Sequence, residues 1–184
     1  MRPFITLLLL TAGSAALACS DPNALANPSL QNFEDTLTLY ALNGTPISSP
    51  SAYSVPDGPV RTDRTSAFEF AYDLGATGEH WFIPQTVLDI RVSNTVDPGL
   101  LRSNKLFGDI ARAPSNGYIT DDTITVDSGD VFLVRSRLVC NIGVSQYAKL
   151  QVLSFDDAQR AVTFRVLANN NCGYRDLDPG FPKD

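Results

Sequence analysis

Residues that usually carry chemistry are scarce in this 184-residue chain, which contains one histidine and three cysteines. The histidine, His80, stands next to Trp81, the one tryptophan. An imidazole beside an aromatic wall can act as a general base or bind a metal. No cysteine or acidic cluster accompanies it in sequence, so a strand-end histidine is the simpler interpretation. We expect no catalytic residue and keep His80 and Trp81 as candidate binding residues.

A polar loop near the C-terminus supplies three more candidates. Its sequence, NNNCGYRD, covers residues 169–176. Consecutive asparagines are typical of Asx turns and left-handed backbone, and rigid polar loops with tyrosine and arginine make good contact surfaces. We add Asn171, Tyr174 and Arg175 to the candidate binding residues.

Neither a metal nor a cofactor is expected. The stretch DDTITVDSGD, residues 121–130, is rich in aspartate but lacks the alternating ligands and terminal glutamate of a calcium loop. It is typical of turn acids that flank a short strand. After removal of Met1 the chain has no methionine, so a paired His/Met haem site is excluded.

The N-terminus has the layout of a secretory signal peptide. Arg2 precedes an apolar run from Phe4 to Leu10, and small residues follow to Ala18. The segment is shorter and less apolar than a transmembrane helix requires. We assign residues 1–18 to the signal peptide and the polar residues 19–32 to a flexible tether.

The cleavage region suggests two modes of processing. Ala16-Leu17-Ala18 fits the site of ordinary secretion, which would release a soluble protein. Together with Cys19, however, the four residues resemble a bacterial lipobox. That resemblance implies cleavage before Cys19, diacylglycerol on its thiol and acylation of its amine, which makes membrane lipid the partner of Cys19. Because no aspartate directly follows Cys19, the resemblance also implies sorting to the outer membrane.

The cysteine count favours the lipidated form. Secreted chains tend to pair their cysteines, and an odd cysteine requires an explanation. A disulfide between Cys140 and Cys172 leaves Cys19 for the lipid. The alternative is that Cys140 and Cys172 are two free buried thiols.

Composition excludes one class of partner. The chain is 43% hydrophobic and 18% charged, with a net charge of −6. Such a chain can bury a core, but it lacks the excess of lysine and arginine on which nucleic-acid binding depends. We expect no nucleic acid among its partners.

Alternation of apolar and polar residues predicts an all-β domain over residues 33–178, followed by an irregular tail over 179–184. In 68–74, for example, Phe70 and Tyr72 share one face while Glu69 and Asp73 point away from it. Asp97-Pro98 predicts one short helix or turn. About nine short strands separated by Gly, Pro and Asn indicate a single β-sandwich or barrel. Counted with the two-residue segment 118–119, the predicted strands number ten: 36–42, 52–55, 68–74, 80–83, 87–92, 118–119, 123–126, 131–137, 146–155 and 160–167.

The last third of the chain resembles a group of uncharacterised bacterial lipoproteins. The similarity lies in residues 129–136, Cys140, residues 147–152, residues 171–177 and the pair 179–180. It implies a lipid-anchored envelope protein with no activity to transfer. We therefore expect a non-catalytic binding or structural module, with an envelope protein as a further partner. The alternatives are a hydrolase that uses His80 and a carrier of a small hydrophobic ligand.

Overall fold

The chain folds into two antiparallel sheets of five strands each. The computed structural model describes residues 25–90, 96–140 and 143–183. In spatial order, the first sheet contains β1 (Glu34–Tyr40), β10 (Ala161–Asn169), β9 (Ser145–Asp156), β8 (Val131–Leu138) and β6 (Gly99–Ser103). The second contains β3 (Gly58–Val60), β2 (Ala52–Ser54), β4 (Phe70–Leu74), β5 (His80–Pro84) and β7 (Ile124–Thr125). The predicted all-β sandwich is confirmed.

Aromatic side chains fill the space between the sheets. Phe70 and Phe82 lie with ring centroids 4.6 Å apart, and Phe82 contacts Phe132 of the first sheet edge to face. Alternation along each strand sends these residues inward, because successive side chains point to opposite faces. A hydrophobic-ligand carrier of the barrel type needs an open interior, whereas here the two sheets pack face to face through their side chains.

Two predictions of secondary structure are wrong. The segment after Asp97 forms strand β6, in which Leu100 pairs with Val134 of β8, rather than a helix. Pairing with a long central strand outweighs the local helix-start signal of Asp97-Pro98. The predicted strand 87–92 is also absent over its described part: Gln85–Leu88 form a 3-10 turn that ends at Asp89, whose φ is 56°. Residues 91 and 92 of that prediction lie outside the described residues.

A second layer covers the outer face of the first sheet. Phe107, Ile110 and Leu177 pack against Leu133 and Tyr147. These covering residues come from the segment after β6 and from the chain beyond β10. Their burial explains why both faces of β8 and β9 carry apolar side chains.

Residues on both sides of the predicted domain boundaries are attached to the sandwich. Asn32 and Gly180 exchange two backbone hydrogen bonds of 2.7 and 2.8 Å. The buried Asn32 amide also donates to the Asp176 and Asp178 carbonyls. The described residues 25–32 and 179–183 are therefore joined to each other at one end of the sandwich. No helix formed by the described residues is long and apolar enough to span a membrane.

Candidate functional site

His80 lies at the start of β5, beneath the hairpin that joins β9 and β10. Its Nδ1 is 2.7 Å from the Tyr72 hydroxyl, and its ring stacks on Phe155 with centroids 3.5 Å apart. Its Nε2 is 3.5 Å from an oxygen of Asp157, whose side chain is 81% exposed. His80 thus connects the second sheet to the hairpin of the first.

The surroundings of His80 and Tyr72 favour the uncharged form of both side chains. Burial lowers the pKa of His80, and the carboxylates of Asp157 and Asp127 oppose that shift. Burial likewise raises the pKa of Tyr72 far above its usual value, and the Asp157 charge adds to the shift. A neutral imidazole and a protonated phenol can share one hydrogen bond, but such a phenol is a poor nucleophile at neutral pH. The arrangement is suited to holding the hairpin in place.

Trp81 points away from the space between the sheets. Its neighbour Phe82 is buried in the core, whereas Trp81 is half-buried against Gly75. A Cβ atom at position 75 would lie only 2.5 Å from the indole ring, so the close approach requires glycine. Trp81 therefore covers the turn between β4 and β5.

The other candidate residues lie at the opposite end of the sandwich. The hairpin near His80 leads into β10, and the polar loop follows the far end of that strand. A nine-residue strand extends about 30 Å. The structure therefore separates His80 and Trp81 from Asn171, Tyr174 and Arg175, and the five predicted residues do not form one site.

A disulfide fixes this polar loop. Cys140 and Cys172 are bonded, with their Cα atoms 5.9 Å apart, and they stand 32 positions apart in sequence. The bond joins the loop to the end of β8. It uses two of the three cysteines of the chain. Cys19, the predicted lipidation residue, lies outside the described residues.

Asn171 holds the N-terminal segment. Its side-chain oxygen accepts hydrogen bonds from the amides of Ser29 and Leu30, at 2.8 and 3.0 Å. Its side-chain nitrogen donates to the carbonyl of Leu30 and to the side chain of Asn169. All the side-chain atoms that could recognise a ligand are used within the protein, so Asn171 is a positioning residue.

Tyr174 also contacts the N-terminal segment. Its hydroxyl donates a hydrogen bond of 3.1 Å to the carbonyl of Ala26. Arg175 receives a hydrogen bond from the Ala113 amide at its carbonyl, and its side chain lines an open cleft beside Arg112. Arg175 thus lines an open cleft, whereas the Asn171 and Tyr174 side chains bind the N-terminal segment.

Sequence reasoning missed a groove of about 490 Å³ at one open edge of the sandwich. It lies between β1, the edge strand of the first sheet, and the β2–β3 hairpin of the second. Tyr53 and Val166 form part of its apolar wall, and Phe33 stands at its rim with 71% of its surface exposed. Asp35 and Asp57 carry the two carboxylates that line it. In the sequence, only the alternating pattern of β1 pointed to this region. That pattern does not show which strand of the other sheet lies opposite β1.

An ion pair lies buried beside this groove. Arg137 donates a hydrogen bond of 2.6 Å to Glu69, and the other Glu69 oxygen accepts one from the Val55 amide. The alternation that set Glu69 apart from Phe70 and Tyr72 did not indicate burial, yet its side chain is fully buried. Asp73 is also buried, and it binds Asn43.

The described residues contain no group of three metal-ligating side chains that could hold an ion. The aspartates of 121–130 flank the short strand β7, and Asp130 binds Arg102 and the Asp127 amide.

Comparisons of the chain with protein-family models, with curated proteins and with solved structures returned no match.

Proposed function

We propose that this protein is a lipoprotein of the bacterial cell envelope, anchored through Cys19 and acting as a non-catalytic binding module. The observation that carries the proposal is the use of the cysteines. Cys140 and Cys172 are bonded to each other, and Cys19 directly follows the lipobox-like Ala16-Leu17-Ala18. A thiol at that position is the expected acceptor of diacylglycerol. Two or three acyl chains give stable attachment, since one chain alone binds only marginally.

The position of the N-terminal segment supports a defined orientation at the membrane. Leu25 packs so closely on Gly173 that a Cβ atom there would lie 2.6 Å from the leucine side chain. The six peptide links from Cys19 to Leu25 can span at most about 22 Å. A lipid on Cys19 would therefore hold the disulfide end of the sandwich near the bilayer. The hairpin and His80 would then lie at the distal end, some 30 Å further away by the length of β10.

The surroundings of His80 support a binding module over a hydrolase. One exposed carboxylate and one phenol with a raised pKa face the imidazole. An active site gathers several convergent polar groups in a cavity. The groove at the sandwich edge has such a concave shape, and His80 does not line it. The outer membrane, facing the periplasm or the surface, is the proposed location, and an envelope protein is a proposed partner.

Detergent phase partition of the protein made in a bacterial host tests the anchor. The unaltered protein should enter the detergent-rich phase, and Cys19→Ser should move it to the aqueous phase. Ser20→Ala is the matched control, because it changes the neighbouring residue and leaves the thiol. Equal detergent partition of Cys19→Ser and the unaltered protein would refute the anchor.

A further inference from the structure

The groove at the sandwich edge contains polar atoms that the fold leaves without partners. Tyr53 lines the groove and is 1% exposed, and its hydroxyl forms no hydrogen bond within the described residues. The side-chain oxygen of Asn170 is also buried in the groove wall without a partner. A buried polar group without a hydrogen bond costs about 1–3 kcal/mol, so folded proteins seldom leave such groups unpaired. The Tyr53 hydroxyl is therefore available to a bound ligand, whereas the Asn170 oxygen is shielded by the protein itself.

The charged side chains that line the groove are both acidic. Asp35 and Asp57 are exposed at its lining, and each uses one oxygen within the protein: Asp35 accepts from the Thr36 amide and Asp57 from the Ser54 hydroxyl. The second oxygen of each carboxylate has no hydrogen-bond partner among the described residues. No lysine, arginine or histidine of the described chain lines the groove. Its field therefore favours a cation.

The remaining surface of the groove is apolar. Leu30 and Phe33 stand at the rim with about half or more of their surfaces exposed, and Val166 lies deeper in the wall. An exposed aromatic ring attracts both apolar groups and cations. The volume of about 490 Å³ lies within the range of small-molecule sites.

From these observations we infer that the groove binds a small apolar cation, with an ammonium head between Asp35 and Asp57 and an apolar body against Phe33 and Tyr53. The ammonium supplies the donors that the free oxygens of the two carboxylates accept. The inference rests on the proposed binding role and is independent of the lipid anchor. Loss of detergent partition and loss of ligand binding are therefore separate outcomes.

Three probes with the same phenyl body test the head-group chemistry: 2-phenylethylammonium, 2-phenylethanol and 3-phenylpropanoate. They would be titrated by calorimetry into the chain from residue 19 onward with Cys19→Ser, which keeps every residue of both sheets. The ammonium should bind most tightly and the carboxylate most weakly. The amide resonances of Tyr53 and Asn170 should shift on addition of the ammonium.

Substitution of Asp35 and Asp57 tests whether their charge, rather than the shape of the groove, selects the ammonium probe. Asp35→Asn with Asp57→Asn keeps the hydrogen-bond acceptors and removes both charges. It should weaken ammonium binding about fivefold to thirtyfold, to the level of the alcohol, since two exposed ion pairs are lost and each contributes up to ~1 kcal/mol. Asp121→Asn with Asp122→Asn removes the same charge from exposed turn residues and should leave binding unchanged.

Substitution of the rim tests the apolar contact. Phe33→Ser should weaken all three probes to a similar degree, and the exposure of Phe33 means that the fold loses little packing. The inference is overturned if no probe binds saturably, if the carboxylate binds as tightly as the ammonium, or if the Asp35 and Asp57 substitutions leave ammonium affinity unchanged in a folded protein.

Discussion

Arg137 and Glu69 connect the two sheets through a hydrogen bond of 2.6 Å between buried charged groups. Arg137 comes from β8, where the pairing with β9 shifts register between Arg135 and Leu138. Ser136 stabilises the irregularity, because its hydroxyl accepts the Gln146 amide at 2.8 Å. The bulge lets the long arginine side chain reach across to the second sheet, where Glu69 precedes β4.

Loss of the arginine should destabilise the fold strongly. Arg137→Met leaves Glu69 buried without its counter-ion, which typically costs about 3–5 kcal/mol. Denaturant unfolding should show that decrease, and the double variant with Glu69→Gln should recover part of it. Arg64→Met, at an exposed position, is the control and should change stability by less than about 1 kcal/mol. A free energy of unfolding for Arg137→Met equal to that of the control would contradict this account.

The same pair should make stability depend on pH in a known direction. Burial raises the pKa of Glu69 from about 4.5 to about 7, against the opposing effects of Arg137 and the Val55 amide. The folded state then holds its proton more tightly than the unfolded state does. The contribution of Glu69 to the free energy of unfolding is thus fully present below about pH 4.5 and is lost as the pH rises through about 7.

Denaturant titrations of the unaltered protein and of Glu69→Gln, at several pH values, measure this contribution. The stability of the unaltered protein relative to Glu69→Gln should fall between about pH 4.5 and 7. Glu79→Gln provides a contrast, because a hydrogen bond from Thr77 lowers the pKa of Glu79 and gives any effect the opposite sign. A relative stability for Glu69→Gln that stays constant over this pH range would rule out the raised pKa.

Removal of the disulfide should lower the melting temperature. Replacing Cys140 and Cys172 together by alanine opens a loop of 32 positions, which the chain-entropy model values at about 3–4 kcal/mol. Calorimetry should show the shift, and the unaltered protein should contain no reactive thiol from this pair before reduction. Cys19→Ser is the internal control and should melt as the unaltered domain does. An unchanged melting temperature in the double variant would show that the bond contributes no stability.

Asn171 should govern the protection of the N-terminal segment. Asn171→Ala removes the acceptor of the Ser29 and Leu30 amides, so hydrogen exchange at those two amides should accelerate about tenfold or more. Asn116→Ala, at an exposed turn, should leave both amides protected. Unchanged exchange at Ser29 and Leu30 in Asn171→Ala would mean that other contacts hold the segment.

The sequence predicted correctly those features of the fold that local patterns of residues determine. The alternation around β4 identified Phe70 and Tyr72 as core residues, and the cysteine count identified the disulfide. Strand β6 was missed because its partner β8 lies about thirty residues further along the chain. The burial of Glu69 was missed for the same kind of reason, since Arg137 is 68 positions away.

The groove was beyond sequence reasoning because its parts come from three segments. Phe33 directly precedes β1 and Asp35 lies at its start, Tyr53 and Asp57 belong to the β2–β3 hairpin, and Asn170 lies in the loop after β10. Only the stacking of one sheet on the other brings them together. Unpaired polar atoms such as the Asn170 side-chain oxygen become visible only once every neighbour is known.

Mass spectrometry of the N-terminal peptide tests the lipid anchor most directly. The protein would be purified from the membranes of a bacterial host without prior delipidation. We predict that the mature chain begins at Cys19 and carries the added mass of a diacylglyceryl group, with a further acyl chain on the amine. An N-terminal peptide that begins at Cys19 with an unmodified thiol and amine, or that retains residues 1–18, would contradict the account.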